Sequence, residues 1–378
     1  MKILQVNASY KPAYIYGGPT MSVSKLSEQL AEAGCIVEVF TTTANGAAEL
    51  PVVPNARVIV DGVRVTYFKR VTKDHSHFSP ALLRMLWKEA KTFDLVHIHA
   101  WWNLVSVFSC LIAIMRGVPV VVSPRGTLSA YSFTNKNNLP KKLIHHLLGK
   151  HLLKRSNLHV TSEREKAGIE SLIHPKTIIN IPNFIALPAN TSYTPTKRES
   201  YLKLIFFSRI EEKKGLDILF NALPTVTTPY HLTIAGDGDT IYIDKLKTIA
   251  EQNGISENLS WIGFQGKNKF DLLQQHDLMI LPSYDENFGN VVIESLSVGT
   301  AVLLSKYVGL ADYVAENDLG WICELDKDDI SRHINSIGKE KTKLAAIRQL
   351  APTTIRDDFN VQRLTQRYMA MYQSILEK

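Results

Sequence analysis

Cysteine is scarce in this chain: Cys35, Cys110 and Cys323 are the only ones among 378 residues, and none stands in a CxxC pair. That excludes a disulfide framework and a cysteine-rich zinc site, and it suits reduced thiols in a cytoplasm. Long apolar runs are missing too. The longest, Leu104 to Met115, contains two serines and falls short of the roughly 20 apolar residues that cross a bilayer. The opening MKILQVNASY lacks the apolar core of about 7 to 15 residues that an export signal needs, so a cytoplasmic protein is expected. No low-complexity tract or internal repeat is present, which excludes linker-like and solenoid chains.

Acidic residues are absent over one long stretch. Between Asp94 and Glu163 there is none, while Arg116, Arg125, Lys136, Lys141, Lys142, Lys150, Lys154 and Arg155 lie there. Through Ile185 the chain has 22 Lys and Arg against 11 Asp and Glu; the remainder has 21 against 25, so the net charge of +7 is carried by the first half. Such a surface attracts anions: substrate phosphates, an acidic lipid surface or a nucleic acid.

What is present is an alternation of short Val- and Ile-rich runs with helical patterns, which predicts α/β architecture with parallel sheets. The length exceeds what one core supports, so two domains are expected. Strands are predicted at Lys2–Val6, Cys35–Thr41, Arg64–Phe68, Leu95–His99, Pro119–Ser123 and Leu158–Thr161. A second set is predicted at Leu202–Phe207, Leu232–Ala235, Leu259–Ile262, Leu278–Leu281 and Ala301–Ser305. Between the sets, residues 184–200 belong to a stretch rich in Pro, Thr, Ser and Asn that reads as a linker. The expectation is two Rossmann-like domains, 1–183 and 201–358, whose strand ends face each other across a cleft.

Ligands of such sheets bind beyond the carboxyl ends of the strands. After one predicted strand comes Arg209, with Lys214 and Gly215 following in FSRIEEKKG. Arg as a fork and Lys as a point charge are suited to a diphosphate, unless they are only solvated loop charges. After another comes YDENFGNVVIE, in which Phe288, Gly289 and Asn290 turn the chain into an apolar helix that ends before Gly299. The helix start supplies free N–H groups and a positive dipole end. Glu286 falls in the loop and Glu294 about one turn into the helix, where it serves a ligand or simply pairs a nearby cation.

Arg209…Lys214-Gly215, Ala235-Gly236-Asp237-Gly238 and Glu286-Asn287-Phe288-Gly289-Asn290-Val-Val-Ile-Glu294, with Gly17-Gly18, Asp94 to His99 and Ile181-Pro-Asn183, span nearly the whole chain. Together they resemble glycosyltransferase family 4, retaining enzymes of the GT-B fold with an E-x7-E motif, among them bacterial surface-polysaccharide enzymes. The resemblance implies an N-terminal acceptor-binding domain, a C-terminal donor-binding domain for a nucleotide diphosphate sugar, and a last helix, about 359–378, that crosses back onto the first domain. It implies that Arg209 and Lys214 neutralise the leaving diphosphate. Glu286 would take a donor-sugar hydroxyl, Asn287, Phe288, Gly289 and Asn290 would hold phosphate and sugar, and Glu294 the ribose. Gly17, Gly18 and Gly236 would let backbone approach the donor. A UDP-sugar is favoured over a GDP-sugar, the acceptor is a glycan, lipid-linked in this setting, and the reaction is front-face substitution. No cofactor and no metal is called for.

One position departs from the resemblance. Relatives carry a histidine where this chain has Arg125, and arginine, unable to act as a base, would serve as a donor to sugar or phosphate oxygens, with His99 sharing the role. His97 and His99 share a strand face without a third ligand in view, and Asp237-Gly-Asp239 imitates a metal motif in a glycine-rich turn. Leu139 to Arg155 is a basic amphipathic helix pattern, either a packed domain helix or a peripheral membrane contact. A nucleotide-sugar epimerase of the same fold and a basic nucleic-acid-binding protein are the alternatives, the latter leaving E-x7-E without a purpose.

Overall fold

A computed structural model describes residues 1–129, 148–188, 200–266 and 268–377. The chain divides into two compact units, Met1–Ile185 with Val361–Lys378, and Ala186–Asn360.

The first unit contains β1 (Lys2–Val6), β2 (Ile36–Thr42), the short hairpin β3 (Ala44–Asn45) and β4 (Ala48–Glu49), β5 (Arg57–Val60), β6 (Val63–Phe68), β7 (Leu95–His99), β8 (Val120–Ser123), β9 (Asn157–Val160) and β10 (Thr177–Asn180). Eight of them form one sheet in the order β10-β9-β8-β7-β1-β2-β6-β5, parallel except for β5 against β6. Every residue of β7 and β8 is buried, as expected for central strands covered on both faces. The strand order turns back on itself between β1 and β7, and that reversal opens a crevice for ligands at the carboxyl ends.

One face of this sheet packs in a cluster with the helices Pro80–Glu89 and Leu104–Met115. The other packs with Gly18–Glu32 and with the last helix of the chain, Val361–Leu376. That last helix buries Leu364, Tyr368, Met371, Tyr372 and Ile375, a single stripe at helical spacing. Phe359, which the sequence pattern groups with it, lies in the second unit instead, edge-on to Phe288 at 6.3 Å and to Tyr313 at 5.5 Å.

The second unit contains β11 (Leu202–Phe207), β12 (Tyr230–Ala235), β13 (Leu259–Gly263), β14 (Leu278–Leu281), β15 (Ala301–Ser305) and β16 (Gly320–Cys323). They form an all-parallel sheet in the order β13-β12-β11-β14-β15-β16. This is the doubly wound order, with its switch point between β11 and β14. Sequence patterning overlooks β5, β10 and β16. All three lie at sheet edges, where β5 and β10 have no buried residue and β16 only its two ends, so no apolar run marks them.

Most of the basic pattern Leu139 to Arg155 lies outside the described residues, which resume at 148. In its described part Leu152 is buried in the core of the first unit and Leu148 packs against it, so this end of the apolar stripe faces protein. Among the described residues no helix is long and apolar enough to cross a membrane.

Candidate functional site

At the switch point of the second unit, the loops after β11 and β14 are fastened together. Arg209 follows β11 and is exposed, with a guanidinium nitrogen 2.6 Å from Glu211. The chain then makes a 3-10 turn at Glu212–Lys214, and Gly215 in the left-handed region (φ 74°) starts the helix Leu216–Ala222. A Cβ on Gly215 would lie 2.0 Å from the carbonyl oxygen of Pro282 in the β14 loop, so this closeness requires glycine. Gly236, after β12, is held as tightly, because a Cβ there would meet Ser208 O at 1.9 Å. The two glycines let three strand-end loops stack without side chains between them.

The same crossing brings Lys214 to Glu286. Lys214 is buried, and its ammonium forms an ion pair with the Glu286 carboxylate. The backbone of Glu286 is fixed on both sides: its N–H donates to Tyr307 O at 3.1 Å and its carbonyl accepts from Gly309 N at 2.8 Å. Burial alone would raise the Glu286 carboxyl, but Lys214, with Lys213 and Arg209 behind it, outweighs burial and holds it below the usual carboxylate range. Glu286 is therefore ionised at neutral pH. It accepts hydrogen bonds and does not supply a proton.

Three residues on, Gly289 (φ 89°) caps the helix Asn290–Ser297. The helix start lies beside the Glu286 side chain, whose Cγ a Cβ on Gly289 would meet at 3.5 Å, and a helix N-terminus is a positive setting for an anion. Phe288 is buried and anchors the turn, while Asn287 and Asn290 are half-buried. Glu294 pairs with Lys269 at 2.7 Å through Oε1, and Oε2 has no partner among the described residues. The structure thus brings Arg209, Lys214, Glu286, Asn287, Phe288, Gly289 and Asn290 to one strand-end cluster, with Gly236 beneath it and Glu294 one turn along the helix. Sequence reasoning missed Lys213 as a contributor and Lys269 as the partner of Glu294. Only the run of two lysines before Gly215 signalled the first; nothing near Lys269 signalled the second.

The first unit gathers the other candidates at its own switch point. Gly17 (φ 66°) follows β1 and caps the helix Gly18–Glu32, with Gly18 exposed and Pro19 pre-set for the first turn. His99 ends β7, and Arg125, itself in the left-handed region (φ 53°), follows β8. Arg125 Nε donates to His99 Nδ1 at 3.3 Å, and Nη1 donates to Ser22 Oγ at 2.9 Å and Asn183 Oδ1 at 2.8 Å. Gly126 N donates to Glu165 at 2.7 Å, which fixes the loop after β8. Ser22 and Glu165 were not legible as site residues, since each sits within an ordinary helix pattern.

His97 and His99 are both fully buried, with ring centroids 4.2 Å apart. His97 contacts Tyr372 at 2.8 Å and Ser123 at 2.6 Å, and His99 contacts Gln5 at 2.6 Å. Burial first, then the neighbouring histidines and Arg125, push both well below the ordinary histidine range. Asp239 caps the helix Thr240–Gln252 by accepting from Tyr242 N at 3.1 Å, and Asp237 accepts from Gly238 N at 2.8 Å. Both carboxylates have local structural partners. Among the described residues no group of three or more His, Cys, Asp or Glu could hold a metal ion.

The geometry agrees with what the chain resembles. A family model described as glycosyl transferase 4-like domain matches residues 17–183, and one described as glycosyl transferases group 1 matches residues 193–353. An uncharacterized glycosyltransferase of Methanocaldococcus jannaschii is 25% identical over 367 residues, covering 89% of each chain. D-inositol 3-phosphate glycosyltransferase of Mycolicibacterium smegmatis is 27% identical over 357 residues, covering 85% of this chain and 78% of the relative. Among solved structures, HepE of Anabaena in complex with UDP and glucose superposes with a TM-score of 0.76 at 19% identity, covering 99% of this chain and 100% of that one. With both halves matched by glycosyltransferase families and both sheets wound as that fold requires, the chain belongs to the family 4-type glycosyltransferases of the GT-B fold.

Proposed function

We propose that the protein moves a hexose-type sugar from a UDP-sugar to a glycan acceptor with retention, by front-face substitution. One observation carries the reading: Arg209, Lys213 and Lys214 act together on an ionised Glu286 beside the N-terminus of the helix Asn290–Ser297, with Glu294 one turn on. A diphosphate needs such a cluster. The two phosphates would draw on Arg209, Lys214 and the helix start, and losing one such group typically costs on the order of 10²–10³ in rate. Glu286, relieved of part of its pairing as Lys214 turns to phosphate, would accept from a sugar hydroxyl. Glu294 would take a ribose hydroxyl on the oxygen that Lys269 leaves open.

In this reading the bond from the sugar carbon to the phosphate oxygen breaks on the face where the acceptor oxygen bonds. The departing phosphate oxygen takes the acceptor's proton, so no carboxylate nucleophile and no metal is needed. UDP is preferred because the similar solved structure holds UDP and glucose. The acceptor belongs to the first unit, where Gly17 and Gly18 would let backbone approach the donor and His99 and Arg125 would act at the reacting sugar. Its basic charge suits a lipid-linked acceptor of surface polysaccharide synthesis at the inner face of the cell membrane.

The test offers the enzyme a panel of UDP- and GDP-sugars with oligosaccharide and lipid-linked acceptors and follows the new linkage by NMR. Transfer with an anomeric configuration equal to that of the donor supports the reading. An inverted product contradicts it, and donor converted to an epimer without acceptor replaces it with an epimerase.

A further inference from the structure

Arg125 is a cation without a counter-ion. Its three hydrogen bonds go to neutral acceptors, His99 Nδ1, Ser22 Oγ and Asn183 Oδ1, and Nη2 has no partner among the described residues. Glu165, the carboxylate that acts on it through space, is occupied by Gly126 N at 2.7 Å, Thr161 N at 2.9 Å and Thr161 Oγ1 at 3.1 Å. A half-buried, unpaired charge is costly unless a ligand completes it.

The other side of Arg125 is held by a buried chain of hydrogen bonds that can run in only one direction. Arginine only donates, so His99 Nδ1 accepts and His99 Nε2 carries the proton given to Gln5 Oε1 at 2.6 Å. Gln5 Nε2 donates, long at 3.5 Å, to Tyr372 Oη, which donates to His97 Nδ1 at 2.8 Å. His97 Nε2 donates to Ser123 Oγ at 2.6 Å, Ser123 donates to His159 Nδ1 at 2.6 Å, and His159 Nε2 ends the chain on the Ile181 carbonyl at 2.9 Å. Each imidazole is neutral with one assigned tautomer, and a group that can only donate and one that can only accept close the two ends. The chain joins four strands and the last helix, which is a large structure to spend on one guanidinium.

We propose that Arg125 is an anion-binding residue that takes a carboxylate or phosphate of the sugar substrate on Nη2, and that Tyr372 is a positioning residue holding it through Gln5 and His99. This deepens the glycosyltransferase reading by giving the substrate a negatively charged group at the first unit. Tyr368 supplies the control. It accepts from His159 Nε2 at 3.0 Å and donates to Pro182 O at 3.3 Å, a side branch whose loss leaves the path to Ile181 intact.

The experiment titrates the full chain with inorganic phosphate, glucuronate and, as the uncharged comparison, glucose, by thermal shift and calorimetry. At least one anion should bind where glucose does not, and Arg125→Gln should weaken it about tenfold or more, the range of a charge-assisted bond. Arg209→Gln, on the second unit, should leave the glucuronate response in place, while the phosphate response at Arg125 is the part that Arg125→Gln removes and Arg209→Gln does not. Phosphate alone identifies a phosphorylated substrate, glucuronate a uronic acid, and both a general anion seat. Tyr372→Phe should weaken the same anion several-fold and Tyr368→Phe should not. No anion response, or one indifferent to Arg125→Gln, overturns the site; equal effects of the two tyrosine variants overturn the positioning. Sugar-nucleotide binding lost only in Arg209→Gln would fault neither, so the two readings fail separately.

Discussion

Acidification should loosen the first unit well before it touches the second. The perturbation is a shift from about pH 6.5 to about pH 5.5, and the groups that respond are His77, His97, His99 and His159, all buried in the first unit. Burial, reinforced by Arg70 at His77 and by Arg125 at the others, depresses them, His77 to about 4 and His159 to about 3, with His97 and His99 well below 6.5. In the unfolded chain each titrates near 6.5. A depressed histidine stays neutral in the fold, so as pH falls below 6.5 the unfolded state binds protons that the native state refuses. Stability is intact above 6.5 and is lost as pH drops toward the folded values. Integrated over that unit of pH, each group costs about 1 kcal/mol and the four together about 4 kcal/mol, a large share of the ~5–15 kcal/mol of an ordinary domain. The second unit has His276 as its one histidine shifted in this sense among the described residues. Hydrogen exchange read by mass spectrometry under native conditions gives the opening free energy of each unit separately. A loss concentrated in β1, β7, β8 and β9 agrees with the structure. Equal losses in both units, or none, would refute the assignment of neutral, buried histidines.

Gly215→Ala should cost about 1–2 kcal/mol for left-handed backbone and about 1–3 kcal/mol more for the 2.0 Å approach to Pro282 O; urea unfolding measures the loss, and transfer should fall further than stability as Lys214 leaves Glu286. Lys269→Met removes the partner of Glu294 and should leave UDP affinity within about threefold by calorimetry if the carboxylate serves the ribose, since hydrogen bonds of Oε2 do not depend on the pair. Phe288→Ala, which empties a buried ring site against Phe359, should destabilise the second unit by about 3–5 kcal/mol, read as a lowered melting transition.

Much of the second unit was legible because its strands are central and its loops carry special residues. β14 and β15 are apolar runs and β11 is one interrupted only by Lys203, and Arg209, Lys214, Glu286 and Glu294 follow in the segments after strand ends, where parallel sheets bind ligands. Glu294 shows where that legibility stops: the sequence allowed either a ligand or a neighbouring cation, and Lys269 comes from a helix that no spacing rule ties to it. The histidine chain was hidden for a related reason. Gln5, His97, Ser123, His159 and Tyr372 are drawn from β1, β7, β8, β9 and the last helix, and each alone reads as a core residue. Only the folded sheet, with β7 between β8 and β1, brings them into line. The edge strands β5, β10 and β16 were invisible for want of burial, and the helix carrying Tyr372 starts two residues later than its apolar pattern suggests because Phe359 is claimed by the second unit.

The central claim is that the two loops at the β11–β14 switch point hold the donor. Calorimetric titration of UDP and UDP-glucose into the wild type, Arg209→Gln and Glu294→Gln tests it most directly. The account predicts specific UDP binding weakened about tenfold or more by each substitution, with the melting temperatures of the free variants little changed. Binding of UDP that is indifferent to both substitutions would contradict it.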